Sequence, residues 1–319
     1  MFLLRSLSVG IFLFAVLLCN AAQIRVPECK VNGRQSFHFS RLLQYNGARV
    51  RLNDRTFQFA SRFFNGEVRK DDRRSTINGV RVMLNFPVAF VSGVPYVTGF
   101  DWHKTFRPLF YPSTLQKHAV RTITIDMGHG GSDPGALGAF SKEKNITLKI
   151  GRRLGRILQS YGFQVRFVRT SDIKVPLERI PVIQRQHRSD LFVSLHVNSA
   201  KDRSVSGLET YCLTPAYAPS SGSNKIKREV KPGNRFDNNN LVLAHNIQKG
   251  MLKRTGAADR GIKRANFVIL RELNAPGVLI EVGFISNRLE ERRLNNSVYI
   301  DALARGIADG IINYRKSIR

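Results

Sequence analysis

Four residues in this 319-residue chain have the types and settings to do chemistry together: His129, Glu143, His196 and Glu281. His129 sits in the glycine-rich run Gly128-His129-Gly130-Gly131-Ser132-Asp133-Pro134-Gly135, directly after a β-branched stretch. Glycines there let the backbone turn sharply and hold an imidazole in a cleft beyond a sheet's carboxyl edge, the usual ligand position in open α/β sheets. His196 follows a strongly apolar run in Ser194-Leu195-His196-Val197-Asn198-Ser199, so a second imidazole can reach the same edge. Either histidine alone is more often structural than functional.

Glu143 adds a carboxylate. Positions 143, 146, 147 and 150 share one helical face, which puts Glu143 in a first turn beside Ile146 and Ile150 on an apolar stripe. An unpaired carboxylate on a buried face is costly, and coordination to a cation removes that cost. Two histidines and one carboxylate form a known ligand set for catalytic zinc, with a fourth position left for water. The alternative is an ordinary acid favoured by the helix dipole. Glu281, at the end of the apolar run Val278-Leu279-Ile280, is the candidate base that would take a proton from water activated by such an ion. The competing reading is a structural pairing with one of the many arginines.

Elements to position these groups can be read from periodicity. Strands are expected at Ala119 to Asp126, Phe163 to Val168, Leu191 to Leu195, Phe267 to Leu270 and Val278 to Ile280. Helices are expected at Ser141 to Tyr161, closed by Gly162, and from about Asn238 to Arg254, closed by Gly256. A last helix carries the stripe Ile300, Leu303, Ile307 and Ile311. Alternating strands and helices predict an α/β catalytic domain, with a mixed central sheet flanked by helices, over 119–319. Before it, 23–118 reads as a small β-rich accessory domain punctuated by Asn32-Gly33, Asn46-Gly47 and Asn78-Gly79, with Pro108 and Tyr111-Pro112-Ser113 marking a linker. The polar stretch from about Pro215 to Asn240 is expected to border the cleft and take part in substrate entry.

The N-terminus has a charged start, an apolar run from Val9 to Leu18 and a small-residue exit, so 1–22 reads as a secretory signal peptide. That run is shorter than the ~20 residues a membrane span needs, and no later stretch could span. Past it only Cys29 and Cys212 remain, too few for a disulfide framework. Cys212 reads as a small buried apolar residue. The formal net charge of +28 attracts polyanions; export points to anionic envelope polymers in place of nucleic acid. His38, His103, His118, His187 and His245 fall in no ligand pattern, while Asp126 could steady the metal loop from behind. Glu209 has no clear role.

Gly128-His129-Gly130-Gly131, Glu143 fourteen positions on, Ser194 to Ser199, and the block from Arg260-Gly261 through Asn287 resemble the zinc-dependent N-acetylmuramoyl-L-alanine amidases of bacterial cell walls. The resemblance spans Val120 to Ile312. It implies one catalytic Zn2+ on His129, Glu143 and His196, catalysis by Glu281, and hydrolysis of the amide between N-acetylmuramic acid and L-alanine of the stem peptide. It also implies a periplasmic or envelope location and peptidoglycan as partner, and it allows an activator protein. Met127 stands where such amidases usually have proline, and Pro181 interrupts a segment usually helical in them. Ile77 to Pro87 and Val91 to Val97 resemble the copper amine oxidase N-terminal-like domain. Two rival readings are a zinc peptidase cutting peptidoglycan cross-links and a wall-binding protein without catalysis.

Overall fold

The structure is a computed structural model that describes residues 28–318. The expected signal peptide therefore lies outside the described residues. Among the described residues no helix is long and apolar enough to cross a membrane.

The N-terminal strands are β1 (Glu28–Val31), β2 (Arg34–His38), β3 (Arg49–Leu52), β4 (Thr56–Ala60), β5 (Asn65–Arg69), β6 (Arg74–Ile77), β7 (Val80–Met83), β8 (Ala89–Val91) and β9 (Val94–Thr98), with helix α1 (Phe39–Tyr45) after β2. Beyond them run β10 (Thr122–Met127), α2 (Glu143–Ser160), β11 (Gln164–Phe167), α3 (Arg179–Gln186), β12 (Leu191–Asn198) and β13 (Leu208–Leu213). The chain continues through β14 (Ala218–Pro219), β15 (Ile226–Lys227), α4 (Asp237–Thr255), β16 (Asp259–Ala265) and α5 (Val268–Arg271). It ends with β17 (Gly277–Phe284), α6 (Arg288–Leu294) and α7 (Ser297–Ser317).

β10, β11, β12 and β17 are mutually parallel, and β13 joins β17 antiparallel. The sheet is thus mixed, as expected. β10 and β12 are buried along nearly their whole lengths. One apolar layer, with α2, α4 and α7, covers one side through Ile146, Ile150, Leu154, Leu243, Ile247, Leu303 and Ile307. A smaller layer built on Ile180, Phe192, Ile269, Leu270 and Leu279 covers the other. Alternation along the strands aims 192, 194 and 196, and likewise 279 and 281, at this second side.

The N-terminal region does not stand apart. β7 pairs in parallel with β16 at Val82 and Ile262, so β3 to β7 extend the central sheet to eleven strands, while β1, β2, β9 and β8 form a separate sheet. Phe39, Phe57, Phe59, Phe64, Phe106 and Phe110 are buried in the same core as helices α2, α4 and α7. The segment expected as a linker is packed: Phe110 stacks on Phe64 with ring centroids 3.9 Å apart, because its aromatic side chains gain more from burial than a solvated connection would.

Several expectations need correction. Phe267 to Leu270 is not a strand: Asp259–Ala265 is the strand and Val268–Arg271 is helical. A short apolar run is compatible with either element, and here Ile269 and Leu270 are buried from a helix while the polar strand places its charged side chains on specific partners. Strands β12 and β17 run further than expected, so His196 and Glu281 lie inside strands and not past or at their ends. Pro181 does not interrupt α3, because it occupies the first turn, where a missing N–H is tolerated.

The 215–240 stretch does not border the cleft. Because β13 runs antiparallel to β17, Glu209 lies opposite Glu281 while Leu213 leaves from the other end of the sheet. The following loop is held there, with Arg73 donating to the carbonyls of Ser220 at 3.2 Å and Ser223 at 3.1 Å. The Asn240 side chain likewise accepts from the Gly277 N–H at the start of β17, 2.8 Å away.

Candidate metal centre

His129 caps the end of β10 with a left-handed backbone, φ 65°. Its Nδ1 meets the Asp133 carboxylate at 2.9 Å, which turns Nε2 toward Glu143 Oε2 at 3.1 Å. A carboxylate on one ring nitrogen fixes the tautomer and presents the other to a cation, the arrangement common around metal-bound histidines. His196 turns its Nδ1 toward Glu143 Oε1 at 2.9 Å.

Glu143 is 4 % exposed. Its two oxygens also accept the N–H groups of Ala136, at 2.8 Å, and Val197, at 2.9 Å. Burial by itself would raise its carboxyl, but the bonds from His129 and His196 outweigh that and hold it far below the usual carboxylate range. His129 shows the reverse: burial works against protonation, yet Glu143 and Asp133 lift it to about 9. One donor atom from each of His129, Glu143 and His196 lies within 4.8 Å of the others, close enough for all three to share one cation.

The residues fit a divalent cation on grounds of packing as well. A Cβ on Gly128 would run into the His196 ring, and one on Gly135 would meet both His129 and the Glu143 carboxylate. Only glycine lets the backbone close around the cluster this tightly. Two imidazoles and a carboxylate match the donor set of a catalytic zinc site.

Glu281 stands directly across from His196 in the parallel pairing of β12 and β17. Its Oε2 is buried and has no hydrogen-bond partner among the described residues, which is costly for a carboxylate unless a group to be bound there completes it. Burial, and then the neighbouring Glu143 and Glu209 carboxylates, push it up to about 7. An acid of that strength suits proton transfer near neutral pH.

The four residues singled out in the sequence are thus brought together. Asp126 lies behind them, 2 % exposed, accepting from Ser194 Oγ at 2.7 Å. Burial raises its carboxyl, with His196 opposing. Cys212 is buried and burial raises its thiol, so it behaves as an apolar residue. No other histidine joins the cluster among the described residues.

Three contributors escape a reading of the sequence. Asp133 lies inside the glycine-rich motif, four positions after His129, and that spacing was a usable signal. Arg169 is 2 % exposed and ties the loop down by donating to the carbonyls of Met127, at 2.5 Å, Gly128 and Lys144. Glu209 is buried beside Glu281, with Arg260, Lys263, Tyr211 and Asn198 all donating to it. Neither Arg169 nor Glu209 has a local pattern that distinguishes it from other charged residues.

Comparison with known proteins agrees with this geometry. The family model described as N-acetylmuramoyl-L-alanine amidase matches residues 123–313. The amidase AmiA of Salmonella typhimurium is 29% identical over 228 residues, covering 64% of this chain and 79% of that protein. A crystal structure of an N-acetylmuramoyl-L-alanine amidase from Clostridium difficile superposes with a TM-score of 0.53 at 30% identity, over 62% of this chain and 98% of that one. The CwlD amidase from Clostridioides difficile, solved in complex with the GerS lipoprotein, gives 0.53 at 26% identity, over 61% and 98%. With more than half of its length matched and the cluster assembled at the edge of the matched sheet, the chain belongs to the N-acetylmuramoyl-L-alanine amidase family.

Proposed function

We propose that this chain is a zinc-dependent amidase in which His129, Glu143 and His196 hold one Zn2+ and Glu281 moves protons during cleavage of the muramoyl–L-alanine amide. The observation that carries this reading is the placement of an orphaned, buried Glu281 oxygen directly across from His196. A zinc ion bound there supplies Lewis acidity to the scissile carbonyl and to a water. Glu281 takes the proton of the attacking water and returns it to the departing nitrogen of L-alanine. Asp133 fixes the His129 ring, and Arg169 keeps the metal loop closed against α2.

We further propose export to the periplasm or cell envelope, with peptidoglycan as the partner and anionic envelope polymers attracted by the +28 charge. In this reading 119–319 carries the catalysis and 23–118 serves wall attachment, not as a separate body but through strands β3 to β7 that continue the same sheet. The complex of CwlD with a lipoprotein supports a protein partner for this chain too.

Mass analysis of digested sacculi tests the reaction. Free stem peptides starting at L-alanine are expected. Muropeptides with intact muramoyl–L-alanine bonds but opened cross-links would point to a peptidase instead.

A further inference from the structure

Beside the metal centre, Glu209 collects two cations. Its Oε1 accepts Arg260 Nε at 2.7 Å and Lys263 Nζ at 2.5 Å, while its Oε2 accepts the Tyr211 hydroxyl at 2.7 Å and Asn198 Nδ2 at 3.2 Å. Burial would raise the Glu209 carboxyl, but the bonds from Lys263, Arg260 and Tyr211 outweigh it and hold the group ionised. One carboxylate thus accepts from two cations, with the Glu281 and Glu290 carboxylates nearby making no hydrogen bond to either.

Both cations are accessible. The Glu209 side chain is 2% exposed, whereas Arg260 and Lys263 are 35% and 22% exposed. Arg260 uses only Nε on Glu209. Its guanidinium stacks over Phe284 on the same strand as Glu281, 4.9 Å from the ring centroid. Both terminal amino groups of Arg260 have no partner among the described residues, and a guanidinium presenting two parallel N–H groups is the form that grips a carboxylate. Neither cation bonds to Glu281, although Glu209 lies directly opposite it in the sheet.

We infer that Arg260, with Lys263 beside it, is a substrate-carboxylate subsite adjoining the reaction centre, pre-set by Glu209. Resting on the amidase reading, this makes Arg260 a specificity-determining residue. The carboxylate nearest the scissile bond in a stem peptide belongs to the residue after L-alanine, and it occurs free or amidated. The subsite selects the free acid.

The experiment compares muramoyl-L-alanyl-D-glutamate with its amidated counterpart, muramoyl-L-alanyl-D-isoglutamine, on the full chain with zinc. The wild-type protein is expected to show a KM about tenfold lower for the acid, the size of one charge-assisted contact. Arg260→Gln should abolish that preference by raising KM for the acid by about tenfold more than for the amidated substrate, any change in kcat being shared by the two. Lys263→Gln, in which Glu209 keeps Arg260, Tyr211 and Asn198, should weaken it in the same direction. If the cluster is only structural, both variants will depress turnover of both substrates equally, which overturns the inference. Equal KM values in the wild type would overturn it alone, while a wild type that leaves both substrates intact sinks the amidase reading with it.

Discussion

His196 and Glu281 occupy the same register position on neighbouring parallel strands, so an imidazole and a carboxylate project side by side from the sheet toward its second, less covered face. The separation of roles depends on Glu143, which comes from α2 on the opposite face and reaches the imidazoles of His129 and His196. One carboxylate is saturated with donors and strongly acidic; the other is starved of them and weakly acidic.

Replacement of Glu281 by alanine is expected to lower kcat by about a hundred- to ten-thousand-fold, the usual worth of a positioned proton-transfer group. Zinc content should stay at the wild-type level, since Glu281 accepts and donates no bond to the ligand set. The wild-type pH profile of kcat/KM should rise with pH, because the carboxylate form is the base. With the group pushed up to about 7, the acid limb lies near neutrality, and at lower pH once a bound cation favours the anion. Elemental analysis together with a pH–rate profile checks both statements.

Glu143→Gln removes the charge that links the two imidazoles. Loss of zinc from the purified protein is expected, along with loss of the rise in melting temperature that added zinc gives the chelator-treated wild type. A variant that still binds zinc with wild-type affinity would place the metal elsewhere. Treatment of the wild-type protein with a chelator should abolish hydrolysis, and zinc should restore it.

The parts of this site that were legible in the sequence are those encoded locally. His129 is announced by its glycines and Glu143 by helical periodicity, and both stand where they were expected. The pairings of His196 with Glu281 and of Glu281 with Glu209 depend on strand order and direction, which periodicity does not specify. The same blindness misplaced the 215–240 stretch, since its side of the molecule depends on β13 being antiparallel. The N-terminal strands join the central sheet through the Val82–Ile262 bridge and the adjacent Arg81 N–H donated to Asp259, between segments far apart in the chain.

Removal of residues 222–229, between Ser221 and Val230, is expected to leave hydrolysis of a soluble muramoyl peptide within about twofold of wild type, as befits a site distant from the chemistry. The contacts of this loop run to Arg73 and Arg264, not to the metal cluster. A large fall in kcat with zinc retained would return the loop to the cleft.

His245 gives a stability test of the junction between α4 and the N-terminal strands. It is 6% exposed, and its Nε2 meets the Ile77 carbonyl at 3.0 Å, at the end of β6. Burial, with Lys249 adding to it, lowers its pKa from 6.5 to about 4 against the smaller effect of that hydrogen bond. The folded protein therefore holds a neutral imidazole where the unfolded chain binds a proton. Between those two values the unfolded state carries more protons, so stability rises with pH across the window and is lost as pH falls from about 6.5 toward 4. A shift of this size corresponds to about 3 kcal/mol. His245→Gln keeps a donor for the Ile77 carbonyl and cannot titrate. Denaturant melts of the wild type and this variant at pH 7 and pH 4.5 should show the gap between them closing or reversing at the lower pH, and a gap that stays constant would remove His245 as a source of acid sensitivity.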